Sequence, residues 1–232
     1  MVLSRGPRAN LREPKGAVMP NPEPYPVLRW AQRLQAIAQS GLHYDPPLFD
    51  RERYEQVQAL AAEMAAFDSS LSASEVAAHY AAQDGHATPK VDVRGVVFRD
   101  ERILLVQETL LDAGRWTLPG GWADIGSSPA ENTVREVYEE SGYRVRVTKL
   151  LACYDRQRHA HPPHLFHSYK LFFLCELESD ARIPDPHNHE TGEAGWFAAN
   201  ALPELSIGRV TPAQIARFFE HLRWPDLPTD FD

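Results

Sequence analysis

Cysteine is almost missing from this chain: Cys153 and Cys175 are the only two in 232 residues, each inside an apolar, strand-like run. Two such residues build neither a disulfide framework nor a cysteine metal cage, and they read as reduced core residues of a cytoplasmic protein. Long apolar runs are missing as well. The longest, such as Leu171 to Cys175, fall far short of the roughly 20 residues that cross a bilayer, so no membrane association is expected. Positive charge is in the minority, with 24 Lys and Arg against 32 Asp and Glu. The resulting net charge of −8 opposes non-specific attraction to nucleic acid, so a small ligand is favoured over long RNA or DNA. An acidic enzyme can still act on phosphorylated substrates when a metal ion supplies positive charge locally.

What remains is an ordinary globular composition in two unlike regions. Arg5, Arg8, Arg12 and Lys15 are not followed by an apolar segment, so the start does not read as a secretory signal. Pro7, Pro14, Pro20, Pro22 and Pro24 oppose an amphipathic presequence helix, and residues 1–23 read as a disordered tail. Met19 leaves residues 1–18 as a candidate extension ahead of the true start.

Residues 24–87 carry three helical patterns and are expected to form a small all-α domain. Val27, Trp30, Ala31, Leu34, Ile37 and Ala38 recur at three and four residues, as do Tyr54, Val57, Ala61 and Met64. Ser72 and Glu75 form a capping-box signature ahead of Val76, Ala77 and Tyr80. A region of this size has little surface to bury by itself, so it should pack on the second domain or on another subunit, and a homodimer is expected.

From residue 88 to 232 the pattern changes to strands interrupted by two helices. Val91 to Phe98 and Ile103 to Val106 read as a hairpin turning at Asp100 and Glu101, followed by strands at Val145 to Tyr154 and Tyr169 to Leu177. Helical patterns cover Pro129 to Ser141 and Pro212 to Leu222, the second opened by Thr211 and Pro212. This order predicts an α/β sandwich.

The segment Gly121 to Tyr143, GWADIGSSPAENTVREVYEESGY, carries the chemistry. Its second half is a helix capped by Ser128, Pro129 and Glu131, and Glu136, Glu139 and Glu140 stand at i, i+3 and i+4 on one face of it. Alone, an acidic triplet reads as solvated helix surface. Beside the Gly120-Gly121 turn, it is a candidate face for a hard cation, which takes carboxylate oxygens and bridges to phosphate. The segment resembles the box of the Nudix hydrolases, G-x5-E-x7-R-E-U-x-E-E-x-G-U with U apolar or aromatic. Gly121, Arg135, Glu136, Val137, Glu139, Glu140, Gly142 and Tyr143 fall on it, and Ser127 stands where the first glutamate is expected.

The resemblance spans the second domain, and the helical region is similar to the extension of a two-domain subgroup acting on nucleoside diphosphate conjugates, of ADP-ribose or CDP-alcohol type. It implies a mixed-sheet α/β/α sandwich and metal-dependent cleavage of a pyrophosphate linkage with Mg²⁺ or Mn²⁺. Glu136, Glu139 and Glu140 are then metal ligands, the Gly120 carbonyl a further one, and Arg135 orients the glutamates. The missing glutamate, an organiser often paired with the box arginine, puts loop rigidity in question more than metal binding. For the general base, Glu139 competes with Glu190 and Glu193. Competing functions are RNA-end or cap hydrolysis, which the acidic charge disfavours, and a non-catalytic nucleotide sensor, which the intact glutamates disfavour.

Outside the box, Arg156, Arg158, His159, His161, His164 and His167 crowd one loop. Exposed loop histidines are the favoured reading, and no spacing matches a zinc site. The functional alternative is substrate contact: Arg156, Arg158 or a histidine such as His164 reaching phosphate, and Tyr169 reaching the base or ribose. Arg94 beside Gly95 is a further candidate for substrate binding, although an outward-facing arginine is the favoured reading. Trp122, just after the Gly-Gly turn, is a candidate to shape the pocket.

Overall fold

A computed structural model describes residues 26–67, 69–185 and 191–232. The expected tail over 1–23 and the candidate base Glu190 lie outside them.

Three helices come first: α1 (Pro26–His43), α2 (Leu48–Ala66) and α3 (Ala73–Ala81), the last opened by the Ser72/Glu75 capping box. Their centre is small: Ala31, Ala61, Ala62 and Ala65 let the helices approach closely around Val76 and Tyr80. The α1 stripe read from the sequence is split by this packing. Ala31 and Ala38 are buried, whereas Trp30 and Ile37 are more than half exposed and Gln35 is buried in their place. The bundle rests on the rest of the chain, since Leu165 and Phe166 join its core and the Gln32 amide donates to the carbonyls of His164 and Leu165 at 2.9 and 3.2 Å.

The remainder is a mixed sheet. β1 (Lys90–Arg99) and β2 (Arg102–Glu108) form the expected hairpin, and Asp100 and Glu101 take positive φ at its turn. β3 (Trp116–Thr117) and β6 (Thr191–Ala198) pair antiparallel with β2. On the other side β1 runs parallel to β5 (Ser168–Arg182), which pairs antiparallel with β4 (Tyr143–Asp155), and short β7 (Asp230–Phe231) closes that edge.

Alternation along the strands feeds two cores. Val93, Val97 and Leu104 face α4 (Pro129–Ser141) through Val137, while Val96, Ile103 and Leu105 face α5 (Pro212–Arg223) through Ile215, Phe218 and Phe219. Helices on both faces of the sheet complete the expected α/β/α sandwich. A close approach lies at Gly95, where a Cβ would sit 2.3 Å from Val137 Cγ2; glycine there lets α4 lie directly on β1. Among the described residues no helix is long and apolar enough to cross a membrane.

Candidate active site

Helix α4 begins as its sequence dictates. Ser128 accepts from the Glu131 N–H at 3.2 Å and Glu131 returns a bond to the Ser128 N–H at 2.8 Å, with Pro129 in the first turn. Val134 and Val137 pack towards the sheet, which leaves the carboxylate row facing the loop that precedes the helix.

That loop is held to β1. The Val93 and Gly95 N–H groups donate to the carbonyls of Gly121 and Pro119, both at 2.9 Å, so of three consecutive carbonyls Gly120's is the one β1 does not use. Gly120 has φ +144°, and a Cβ on it would meet the Val93 carbonyl oxygen at 2.1 Å, so only glycine fits. Its N–H donates to Glu140 at 2.7 Å.

The three glutamates occupy different environments. Burial pushes Glu140 up to about 8; nearby Glu136 and Glu108 add to the shift, whereas Arg94 and the Gly120 N–H oppose it. Burial also raises Glu136, against the opposing pull of Arg135, which donates to it at 3.0 Å. Glu139 is nearly half exposed, 3.8 Å from the Arg135 guanidinium. Two partly buried carboxylates, beside a third that faces solvent, are a donor set suited to a hard cation: bound charge would replace the proton that desolvation otherwise favours. Among the described residues no three acidic, His or Cys side chains close into a ready-made cage. A magnesium ion does not need one, because it retains several waters and takes one or two carboxylates.

Arg135 has a carboxylate partner although Ser127 offers none. Its guanidinium pairs with Asp124 in the preceding loop and also donates to Asn132 Oδ1 at 3.0 Å. Asn132 in turn accepts from the Asp124 N–H and donates to the Ser127 and Ser128 carbonyls, knitting the loop to the helix. Asp124, three residues before Ser127, is thus a carboxylate partner of the box arginine. Its sequence signal, an acid within the box loop, lies at an unexpected position.

Arg94 is a correction. It does not face outward; it is 1% exposed and makes a two-pronged ion pair with Asp92 at 3.0 and 2.8 Å, while also donating to the Leu118 carbonyl. Asp92 accepts from Lys170 as well, at 2.6 Å across the β1/β5 pairing. Burial alone would raise Asp92, but Arg94 and Lys170 outweigh it and hold the carboxyl below its usual range. Burial lowers Lys170 to about 8 despite the pull of Asp92. Sequence reading missed Asp92 and Lys170, although both interrupt apolar strands. With its donors engaged beneath the box, Arg94 has no exposed face for a substrate; its field acts on Glu140.

The histidine loop is corrected too. His161 is 8% exposed, with Nδ1 2.7 Å from the Ile207 carbonyl and Nε2 3.2 Å from Gln214. His159 pairs with Asp232 and His167 with Asp155, and His164 Nδ1 lies 3.0 Å from the Phe166 carbonyl. Arg156 is buried and donates to the Pro162 carbonyl at 2.8 Å, bracing the loop, whereas Arg158 is exposed. Tyr169 is 41% exposed, its ring edge-on to His167. Glu193 is exposed on β6, where that strand slips register against β2 between Val106 and Glu108. Trp122 is half exposed and lies 6.1 Å from the His164 ring, where both border a cavity between the helical bundle and the sandwich. The structure therefore gathers Arg135, Glu136, Glu139, Glu140 and Gly120 at one place, with Arg94 behind them and Trp122 and His164 at the adjoining cavity.

A sandwich with this loop and carboxylate helix defines a class, and comparison with known proteins assigns it. The NUDIX domain model matches residues 88–218, and a model described as a UDP-X-like, N-terminal oligomerisation domain matches residues 25–80. The chain belongs to the Nudix hydrolase family.

Along 208 residues it is 44% identical to the Bacillus subtilis (strain 168) protein named "Putative ADP-ribose pyrophosphatase YjhB", covering 88% of this chain and 96% of the relative. A crystal structure of a UDP-X diphosphatase matches with TM-score 0.57 and 34% identity, over 89% of this chain and 98% of that one. An ADP-ribose pyrophosphatase from Streptococcus suis 89-1591 matches with TM-score 0.55 and 38% identity, over 62% of this chain and all of that one.

Proposed function

We propose that this enzyme hydrolyses the pyrophosphate bond of a nucleoside diphosphate joined to a second group, giving a nucleoside monophosphate and a phosphorylated partner. The observation that carries this reading is the face formed by Glu136, Glu139 and Glu140, two of them partly buried against the Gly120-Gly121 turn. Names of relatives that match both domains or the whole catalytic domain, an ADP-ribose pyrophosphatase and a UDP-X diphosphatase, support the substrate class.

Glu136, Glu139 and Glu140, with the Gly120 carbonyl, would hold Mg²⁺ or Mn²⁺, which when bound draws charge from the phosphates and acidifies a water. Arg135 fixes the direction of Glu136 and Glu139. The exposed carboxylate of Glu139 would take a proton from the attacking water, in preference to the more shielded Glu140. Attack on phosphorus breaks a P–O bond of the anhydride, and the departing phosphate takes the electron pair.

A panel of ADP-ribose, a UDP-sugar and a CDP-alcohol, assayed with Mg²⁺ and with Mn²⁺, tests this by released monophosphate. ADP-ribose is expected to rank first, and a leading UDP-sugar would favour the second name. In ¹⁸O-water, label should enter one phosphate product and no carbon. Label on carbon, or undiminished turnover in excess EDTA, would overturn the mechanism.

A further inference from the structure

The glycine turn and the carboxylate helix, the two halves of the site, are set on the same three residues of β1. The Val93 and Gly95 N–H groups hold the Gly121 and Pro119 carbonyls, both at 2.9 Å, and Arg94 Nη1 donates to the Leu118 carbonyl at 3.1 Å. Gly95 also receives α4, since a Cβ there would meet Val137 Cγ2 at 2.3 Å and Thr133 Cγ2 at 3.4 Å. Turn and helix then meet each other: the Gly120 N–H donates to Glu140 at 2.7 Å, and a Cβ on Gly121 would lie 3.1 Å from Glu136 Oε2. A shift of the turn on β1 therefore moves the Gly120 peptide against both glutamates.

Of these three attachments only Arg94's is made by a side chain. Backbone groups serve Pro119 and Gly121, so the Leu118 contact is the one that depends on residue type. A buried arginine is a costly way to satisfy one carbonyl, because its charge has to be matched in the interior. What arginine adds is a rigid planar fork with donors in more than one direction. Nε and Nη2 grip the two oxygens of Asp92 at 3.0 and 2.8 Å, which leaves Nη1 fixed in the same plane on Leu118. Asp92 is itself held, for Lys170 Nζ donates to its Oδ1 at 2.6 Å from the paired position on β5. Arg94 is also the floor of the turn: a Cβ on Gly120 would lie 2.8 Å from its Cα and 2.9 Å from its Cδ. All three charged side chains are buried, so none is placed to touch a substrate.

We infer that Arg94, clamped by Asp92 and Lys170, is a positioning residue of the reaction: it fixes the height of the glycine turn on β1, and so the seat of the Gly120 peptide against Glu136 and Glu140. The inference rests on the reading of these groups as the metal-holding face, and it assigns a task to three side chains that have no access to a ligand. A guanidinium is required at 94 rather than a positive charge alone. An ammonium on a flexible stem does not hold Asp92 by two prongs and Leu118 in one plane.

The Gly120 amide reports this seat directly in the metal-free protein. A backbone N–H bonded to a carboxylate resonates downfield, and in Arg94→Lys, at one fixed pH, that resonance should move upfield as the bond to Glu140 lengthens. In the same variant kcat, and Mn²⁺ affinity followed by the paramagnetic resonance of the free ion, should each fall by roughly tenfold or more, the range for an outer partner of metal ligands. KM should change little, since the substrate loses no contact. Lys170→Met leaves the neutral Asp92–Arg94 pair in place and carries the test if Arg94→Lys does not fold; it should move the amide the same way, with a smaller loss of kcat. A role confined to packing gives another pattern: a lower melting temperature, with the Gly120 amide, Mn²⁺ affinity and kcat of the folded protein unchanged. That pattern would overturn the inference. A parent protein that binds no Mn²⁺ would instead overturn the metal-face reading, and the amide resonance together with kcat would still decide the role of Arg94.

Discussion

Arg135 is held from two sides, by Asp124 in the loop and by Glu136 and Glu139 on its own helix, and this arrangement gives sharp expectations for single residues. Asp124→Ala frees the guanidinium to swing, and turnover should fall by roughly tenfold, in the range seen when an orienting partner of a metal ligand is lost. Adding Ser127→Glu to that variant should restore most of the loss, and Ser127→Glu alone should be tolerated. A rescue that fails in steady-state assays would show that Asp124 does not stand in for the missing glutamate. Glu139→Gln and Glu140→Gln should each lower turnover by at least about a hundredfold while circular dichroism stays unchanged. Full activity in a folded double variant would remove the carboxylate face from the mechanism.

Helices α4 and α5 are both opened by local cap signals, and α5 is in addition tied to the histidine loop by a buried ring. His161 sits between the Ile207 carbonyl and Gln214 near the start of α5, and burial lowers it to about 4; Lys170, Arg156 and His159 push it further in that direction. The folded protein therefore holds this imidazole neutral where the unfolded chain, near 6.5, begins to take a proton. The contribution is fully present above about pH 6.5, and it is lost as the pH falls through the window down to about 4. At one decade of equilibrium per pH unit, the span amounts to an upper bound of about 3 kcal/mol. Urea unfolding followed from pH 7 to 4 should show stability declining, and His161→Gln should flatten that decline. A slope identical in the variant would place the effect elsewhere.

At the scale of the molecule, the helical bundle leaves much apolar surface outside. Phe67 is 85% exposed, Phe49 70%, Tyr44 69%, Ile37 58% and Trp30 54%. Exposed apolar side chains of this size suit an association surface, and a two-fold axis would cover them with a second copy, in keeping with the oligomerisation model that matches residues 25–80. Light scattering should find the full-length protein dimeric. A chain starting at Thr88 keeps the three glutamates but loses the bundle, and it should become monomeric or aggregate through uncovered Leu165 and Phe166. A monomeric full-length enzyme would rule the role out, and an unchanged dimer after truncation would move the interface to the Nudix domain.

The capped helix from Pro129 to Ser141, the order Arg135, Glu136, Glu139, Glu140, and the hairpin turning at Asp100 and Glu101 were legible in the sequence. Each depends on neighbours a few residues away, through caps, helical spacing and turn chemistry. The burial of Arg94 was not legible, because its fate turns on Asp92 beside it and on Lys170, 78 residues from Asp92, brought alongside by the parallel pairing of β1 with β5. His161 likewise became a neutral buried contact only once α5 arrived. The pairing of Asp124 with Arg135 needed the loop to fold back onto the helix. The cavity between α1, α3 and Trp122 exists only where two separately encoded domains meet. Local interactions wrote the carboxylate helix into the chain; long-range pairing, which periodicity does not encode, decided which charges are buried and where a cavity opens.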